Sequence, residues 1–313
     1  MDGVASPSAC GRRQRARAAT PSLLRRLFAL TFLLASALSI AQQPAWKLAY
    51  QPAQLVNGSP VLFRVTAPQR LRTLQATWME HQISFREGKA CKCWYAIAGI
   101  DLGVKPGKYP LELNGTTGTG GKIQSSRTVT ITPGHYPKTS ISLPPQFVEP
   151  PKETLQRIEQ EQEVKKERFA ETSAEALWQG GFEAPTATAV SGVFGSARVV
   201  NGTQRNQHKG LDFHAATGTP VHATNGGKVL LARSLYYEGN CVAIDHGQGL
   251  ITIYMHLSEF KVKEGDQVNK GQLIALSGGT GRANGPHLHF AVRWQGAYLD
   301  PSKLLKLAPP ANP

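Results

Sequence analysis

Asn284-Gly285-Pro286-His287-Leu288-His289-Phe290 sets the frame for this chain, because it places two imidazoles on one side of a strand. In an extended segment, residues two apart point the same way. His287, His289, Ala291 and Arg293 therefore share one face, while Leu288, Phe290, Val292 and Trp294 fill the other. The first face carries chemistry and the second carries core.

Two further segments belong with it. Ile251, Ile253, Met255 and Leu257 alternate with Thr252, Tyr254 and His256, an apolar side against a polar one, which directs His256 to the same groove. His208-Lys209-Gly210-Leu211-Asp212 offers a ring nitrogen and a carboxylate oxygen, both good ligands for Zn²⁺. Drawn out straight, the ends of that pentapeptide would stand roughly 13 Å apart at about 3.3 Å per residue, too far to share one ion. The chain must bend there, and Gly210 is where it can.

Around these segments, turn signals such as Gly218-Thr219-Pro220, Asn225-Gly226-Gly227 and Asn269-Lys270-Gly271 punctuate short apolar runs. That spacing predicts an antiparallel all-β domain. Ser277-Gly278-Gly279-Thr280-Gly281 lacks the Lys-Ser/Thr of a phosphate loop and no helix follows it, so a flexible wall beside His287 is expected. Seven of the 9 histidines fall between His208 and His289. His208, His256, His287 and His289 stand out by their spacing, whereas His214, His222 and His246 read as ordinary hydrogen-bonded histidines.

Upstream, residues 46–132 read as short strands broken by turns such as Asn57-Gly58 and Asn114-Gly115. Roughly seven strands in about 90 residues predict an immunoglobulin-like sandwich. Nothing in it looks catalytic, and His81 and His135 read as surface or packing residues. A Pro-rich strip from Pro137 to Pro151 ends this domain. From Lys152 to about Ala176 the chain is free of Gly and Pro and dense in charge, which predicts a solvated connecting helix that docks lightly on one domain.

At 313 residues, 41% hydrophobic and 18% charged, the chain has an ordinary globular composition and room for two domains. Six arginines between Arg12 and Arg26 precede an apolar run from Leu27 to Ile40 and small residues before Gln42, the layout of a secretory signal peptide. The run of about 14 residues falls short of the roughly 20 that span a membrane, so a membrane tether is expected only if the segment stays uncleaved. Cleavage after Ala41 takes away six Arg and one Asp and lowers the formal charge from +14 to +9. A basic exported protein suits an anionic polymer or surface. No basic motif interleaved with aromatics points to nucleic acid. Cys91, Cys93 and Cys241 remain after cleavage, an odd count that gives no disulfide framework; Cys91 and Cys93 read as small strand residues, with a local bridge as the alternative.

The region from about 186 to 302 closely resembles the LytM/lysostaphin-type zinc metallopeptidases, the M23 peptidase family, which cut peptides of bacterial cell walls. The likeness runs through His208 to Asp212, Gly218-Thr219-Pro220-Val221, Tyr254-Met255-His256-Leu257, Val262-Lys263-Glu264-Gly265-Asp266 and Gly285 to Phe290, in the family's order and spacing. The resemblance implies that His208, Asp212 and His289 are the ligands of one zinc ion per chain and that His256 and His287 are the catalytic pair. Three protein ligands leave one tetrahedral position for a water, whose pKa the metal lowers toward about 7. His287 is then the expected general base and proton donor, with His256 orienting it or polarising the scissile carbonyl. Ala283-Asn284 stands where the family often has Ser-Thr, and residues 199–207 lack the tyrosine that some members place before the first ligand.

The expected architecture is mainly β: a signal peptide (1–41), an immunoglobulin-like domain (42–136), a linker with a charged helix (137–181), a peptidase domain (182–306) and a tail (307–313). The expected function is an exported zinc metalloendopeptidase, in the periplasm or cell envelope, acting on peptidoglycan cross-links. The alternative is a non-catalytic wall-binding or amidase-regulating protein on the same fold. Members of that kind are expected to have lost ligands or catalytic histidines, and all five are present here.

Overall fold

The alternation read from residues 107–117 becomes a long strand in which Leu111, Leu113, Gly115 and Thr117 turn inward and Lys108, Pro110, Glu112 and Asn114 turn to solvent. It belongs to a computed structural model that describes residues 45–202 and 204–311; the expected signal segment lies outside the described residues. No helix among them is long and apolar enough to cross a membrane. The chain is mainly β, as its turn-rich sequence predicts.

The N-terminal part consists of two facing sheets. One runs in the order Lys47–Gln51, Pro60–Thr66, Cys93–Gly99, Arg86–Gly88, the other Leu55–Val56, Lys122–Thr132, Gly107–Thr117, Leu71–Trp78, His81–Ser84. Phe63 of the first sheet meets Trp78 of the second edge to face at 5.1 Å, so the inner faces share a core. Cys91 and Cys93 are bonded to each other in the turn between Arg86–Gly88 and Cys93–Gly99, against the expectation of two free strand residues. The turn folds the two sulfurs together, which spacing in an extended strand does not. Cys241 is free and buried.

The Pro-rich strip is more than a spacer. Lys138–Ile141 is a strand that runs parallel to Ala197–Val200, which in turn pairs with Gln204–Gln207. The helix Lys152–Ala170 starts directly after Pro150-Pro151, where the fixed proline φ precedes the first turn. It docks through Val164 and Phe169 on an apolar patch around Leu231, Leu235 and Ala243, and through an ion pair of Lys165 with Glu238 at 2.5 Å, and Ile158 is buried along the same helix.

The C-terminal sheet is antiparallel, in the order Val190–Gly192, Leu211–Phe213, Leu288–Trp294, Leu250–Phe260, Gly239–Asp245, Gly227–Leu235, Gln267–Val268. Leu288, Phe290, Val292 and Trp294 enter a core continuous with the sandwich, while Ala291 packs on the opposite side with Ile251 and Ile253. The sandwich meets the sheet directly. The His81 ring lies 5.0 Å from Trp294, and Gln295 and Gln248 donate side-chain hydrogen bonds to the carbonyls of Gln82 and Ser84. His81 is thus a packing residue, as expected.

His246 illustrates how the core treats a histidine it cannot solvate. It is fully buried, its Nδ1 donates to the Gly226 carbonyl at 2.7 Å, and Thr252 Oγ1 lies 2.8 Å from Nε2. Burial pushes its pKa from the usual 6.5 down to about 4, against the backbone hydrogen bond and Asp245, which act the other way. Between those values the unfolded chain binds the proton and the folded chain does not, so stability is complete above about pH 7 and falls as pH drops through 6.5 toward 4. The loss expected from this one group is about 3 kcal/mol. Urea denaturation at pH 7 and pH 4.5 measures it: the wild-type drop should exceed that of His246→Gln, and equal drops would assign the pH dependence elsewhere.

Candidate metal centre and active site

The three predicted ligands come together on one side of the sheet. Leu211–Phe213 pairs with Leu288–Trp294 so that Asp212 lies opposite His289, and His289 lies opposite Met255 on the next strand. Residues directly opposite in adjacent strands project to the same face. His208 sits between Gln204–Gln207 and Leu211–Phe213, where the chain bends, and is fixed by two backbone hydrogen bonds, Gly195 N to His208 O and His208 N to Ser196 O. Its Nδ1 donates to the Val193 carbonyl at 2.9 Å, which leaves Nε2 as a lone pair facing inward. His208 Nε2 and His289 Nδ1 stand 3.0 and 2.7 Å from Asp212 Oδ1 and 3.1 Å from each other.

This donor set fits a zinc ion. Two imidazole nitrogens and one carboxylate oxygen all lie within 4.8 Å of one another, the ligand chemistry of a three-residue zinc site with an open position. Burial alone would raise the Asp212 pKa, but the ring nitrogens of His208 and His289 crowded against its carboxyl outweigh that and hold it well below the usual range. Burial pushes the His289 pKa down, partly offset by Asp212. Both shifts favour the deprotonated forms of Asp212 and His289 that a metal requires. The backbone makes room for it. A Cβ on Gly210 would lie 2.5 Å from His289 Nε2, and one on Gly192 would lie 2.5 Å from Asp212 Oδ2. Gly210 serves the bend by allowing close approach of a ring, since its φ is not among the positive values.

His287 and His256 stand beside this cluster. His287 pairs with Gly278 through its backbone, donates from Nδ1 to the Gly285 carbonyl at 2.9 Å, and brings Nε2 to 3.9 Å from Asp212 Oδ1. His256 donates from Nδ1 to the Thr280 carbonyl at 2.8 Å, and its ring centroid is 4.8 Å from that of His287. Strict alternation would have left His256 on the side of Thr252 and Tyr254, which is buried away from the ligands. The strand instead breaks register between its pairings with Asn240 and Val242, and His256 adopts φ +63°, a conformation rare for a residue with a side chain. That bulge turns the ring into the groove. Burial, then the charges of His289 and His287, push its pKa down to about 3, so it is neutral in the folded protein.

Thr280 pins the Ser277–Gly281 loop: its hydroxyl accepts from Asn240 N and donates to the Leu257 carbonyl. The expected flexible wall is a packed clasp that orients His256. The groove encloses about 860 Å³ and is also lined by Thr139 and Ile141 of the linker strand, Arg198, Asn206, Tyr237 and Arg282. Among the described residues, none upstream of Thr139 lines it. His214 sits exposed at its margin, outside the ligand cluster. Arg198 is the contact that sequence reasoning missed: its Nη2 lies 2.5 Å from Asp212 Oδ2. An arginine in a short strand fourteen residues earlier carries no periodic signal; only the pairing of strands reveals it.

The family model for peptidase family M23 matches residues 206–301, which hold all five of these side chains. This domain belongs to peptidase family M23. The M23 domain is 45% identical over 96 residues to the peptidoglycan DD-endopeptidase ShyA of Vibrio cholerae, 31% of this chain and 22% of that protein. It is 42% identical over 94 residues to the DD-carboxypeptidase/endopeptidase Mpg of Neisseria meningitidis, 30% of this chain and 22% of that protein. The chain thus spans about a fifth of the length of these curated relatives. A crystal structure assigned to peptidase M23 from Pseudomonas aeruginosa is 28% identical with a TM-score of 0.62, covering 80% of this chain and 95% of that one. That likeness reaches well beyond the M23 domain into the upstream strands.

Proposed function

We propose that this protein is an exported zinc endopeptidase that hydrolyses peptide cross-links of bacterial peptidoglycan. The observation that carries the reading is the convergence of His208 Nε2, Asp212 Oδ1 and His289 Nδ1 beside two further imidazoles in an open groove of an M23 domain. The names of the Vibrio and Neisseria relatives support cleavage at a D-amino-acid cross-link rather than a glycine bridge. The basic, apolar N-terminal layout and the location of such a substrate support export to the periplasm or cell envelope.

His208, Asp212 and His289 would hold the ion. Zinc, when bound, supplies Lewis acidity toward water and a carbonyl oxygen. The chain supplies the proton transfers. Because His287 donates from Nδ1 to Gly285, its Nε2 is the atom that takes a proton from the attacking water and later delivers it to the leaving amine. His256 offers a lone pair at Nε2, since Nδ1 is committed to Thr280. That lone pair acts as an acceptor that orients the water.

The test is muropeptide mass spectrometry of cell-wall sacculi treated with the chain lacking residues 1–41. Uncross-linked muropeptides should accumulate, disappear with a chelator and return with zinc. Elemental analysis should find about one zinc per chain, sharply reduced in His208→Ala and Asp212→Ala. Full zinc in both variants would refute the ligand set. A zinc-loaded protein that binds sacculi and releases no product would establish the wall-binding alternative instead.

A further inference from the structure

We infer that Arg198 is a positioning residue of the metal centre, holding the outer oxygen of Asp212 so that Oδ1 alone faces His208 and His289. The inference rests on the ligand assignment above and goes beyond it by naming what aims the carboxylate. The two Asp212 oxygens are divided between partners. Oδ1 faces both ring nitrogens, and Oδ2 accepts from Arg198 Nη2 at 2.5 Å. The backbone of Gly192 closes the other side, since a Cβ there would lie 2.5 Å from Oδ2. The Asp212 side chain is only 11% exposed, so without Arg198 an ionised oxygen would be left in a confined site with no charged donor.

Arg198 is itself held in place by strand pairing. It lies opposite Thr139 on one side and Asn206 on the other, in the middle of the small sheet that the linker strand completes. The same short segment orients a second ligand, because the Val193 carbonyl fixes the His208 tautomer and Ser196 anchors its backbone. Residues 193–198 therefore aim two of the three ligands while belonging to neither ligand strand. Two effects of the arginine oppose each other at a bound dication. Its positive charge repels the ion, and its hydrogen bond preorganises the carboxylate. Nη2 is bonded to the oxygen that faces away from the ring nitrogens, which favours preorganisation, and outer partners of this kind are typically worth about 10- to 100-fold in metal affinity.

The experiment is a zinc competition titration against a chromophoric chelator with the wild type, Arg198→Gln, Arg198→Lys and Asp212→Ala, with thermal unfolding of each metal-free protein alongside. Arg198→Gln should bind zinc about 10- to 100-fold more weakly. Arg198→Lys should fall between it and the wild type, because lysine keeps the charge but loses the planar fork. Tighter binding by Arg198→Gln would mean that charge repulsion dominates and would overturn the inference. So would wild-type affinity in Arg198→Gln, or a drop matched by an equal loss in Arg198→Lys together with collapse of the metal-free fold. If Asp212→Ala kept its zinc, the ligand assignment itself would fail, a result separable from any of these.

Discussion

His287→Ala should fold, load with zinc and cleave sacculi roughly 10²- to 10⁴-fold more slowly, the usual worth of a general acid–base group. The expectation follows from placement. His287 Nε2 is 3.9 Å from Asp212 Oδ1, whereas His289 Nδ1 is 2.7 Å from it and 3.1 Å from His208 Nε2. His287 is thus adjacent to the cluster without belonging to it. His289→Ala should lose metal and activity together. Metal content by elemental analysis and cleavage by muropeptide release, measured on the same preparations, separate the roles. Loss of zinc from His287→Ala with retention in His289→Ala would exchange them.

The second large effect is on stability. Trp178→Ala is expected to cost about 3–5 kcal/mol in urea denaturation, the range for emptying a buried tryptophan site. Trp178 is 1% exposed and lies between the sandwich and the C-terminal sheet, with its ring 5.9 Å from Tyr95 and 6.3 Å from Phe182. Arg86 of the sandwich covers it at 5.1 Å and donates to its carbonyl. The indole is therefore a joint between two parts of one apolar core. A change below about 1 kcal/mol would mean that the two parts are energetically independent, each keeping its own core.

That joint also changes what a shortened chain would report. Among the described residues, none of the sandwich lines the groove, whereas the linker strand does, through Thr139 and Ile141. Truncation near Ala176 would strip that wall and expose Trp178 and Trp294 together.

Much of this was written in the sequence wherever one local period decided the outcome. The two-residue spacing of His287 and His289, and the apolar set Leu288, Phe290, Val292 and Trp294, follow from the pleat of a strand, and the structure keeps those faces. The need for a bend within His208–Asp212 follows from chain length alone. What local period could not reach depends on partners distant in sequence. The register break that turns His256 into the groove is set by pairing with Gly239–Asp245, and its orientation by the Thr280 carbonyl. Lys138–Ile141 becomes a strand because Ala197–Val200 offers it an edge, and a Pro-rich composition does not announce that. Cys91 and Cys93 meet because a turn brings them together. Arg198 reaches Asp212 for the same reason: a hydrogen bond between residues in separate strands is a property of register, and register is decided when all the strands compete for neighbours at once.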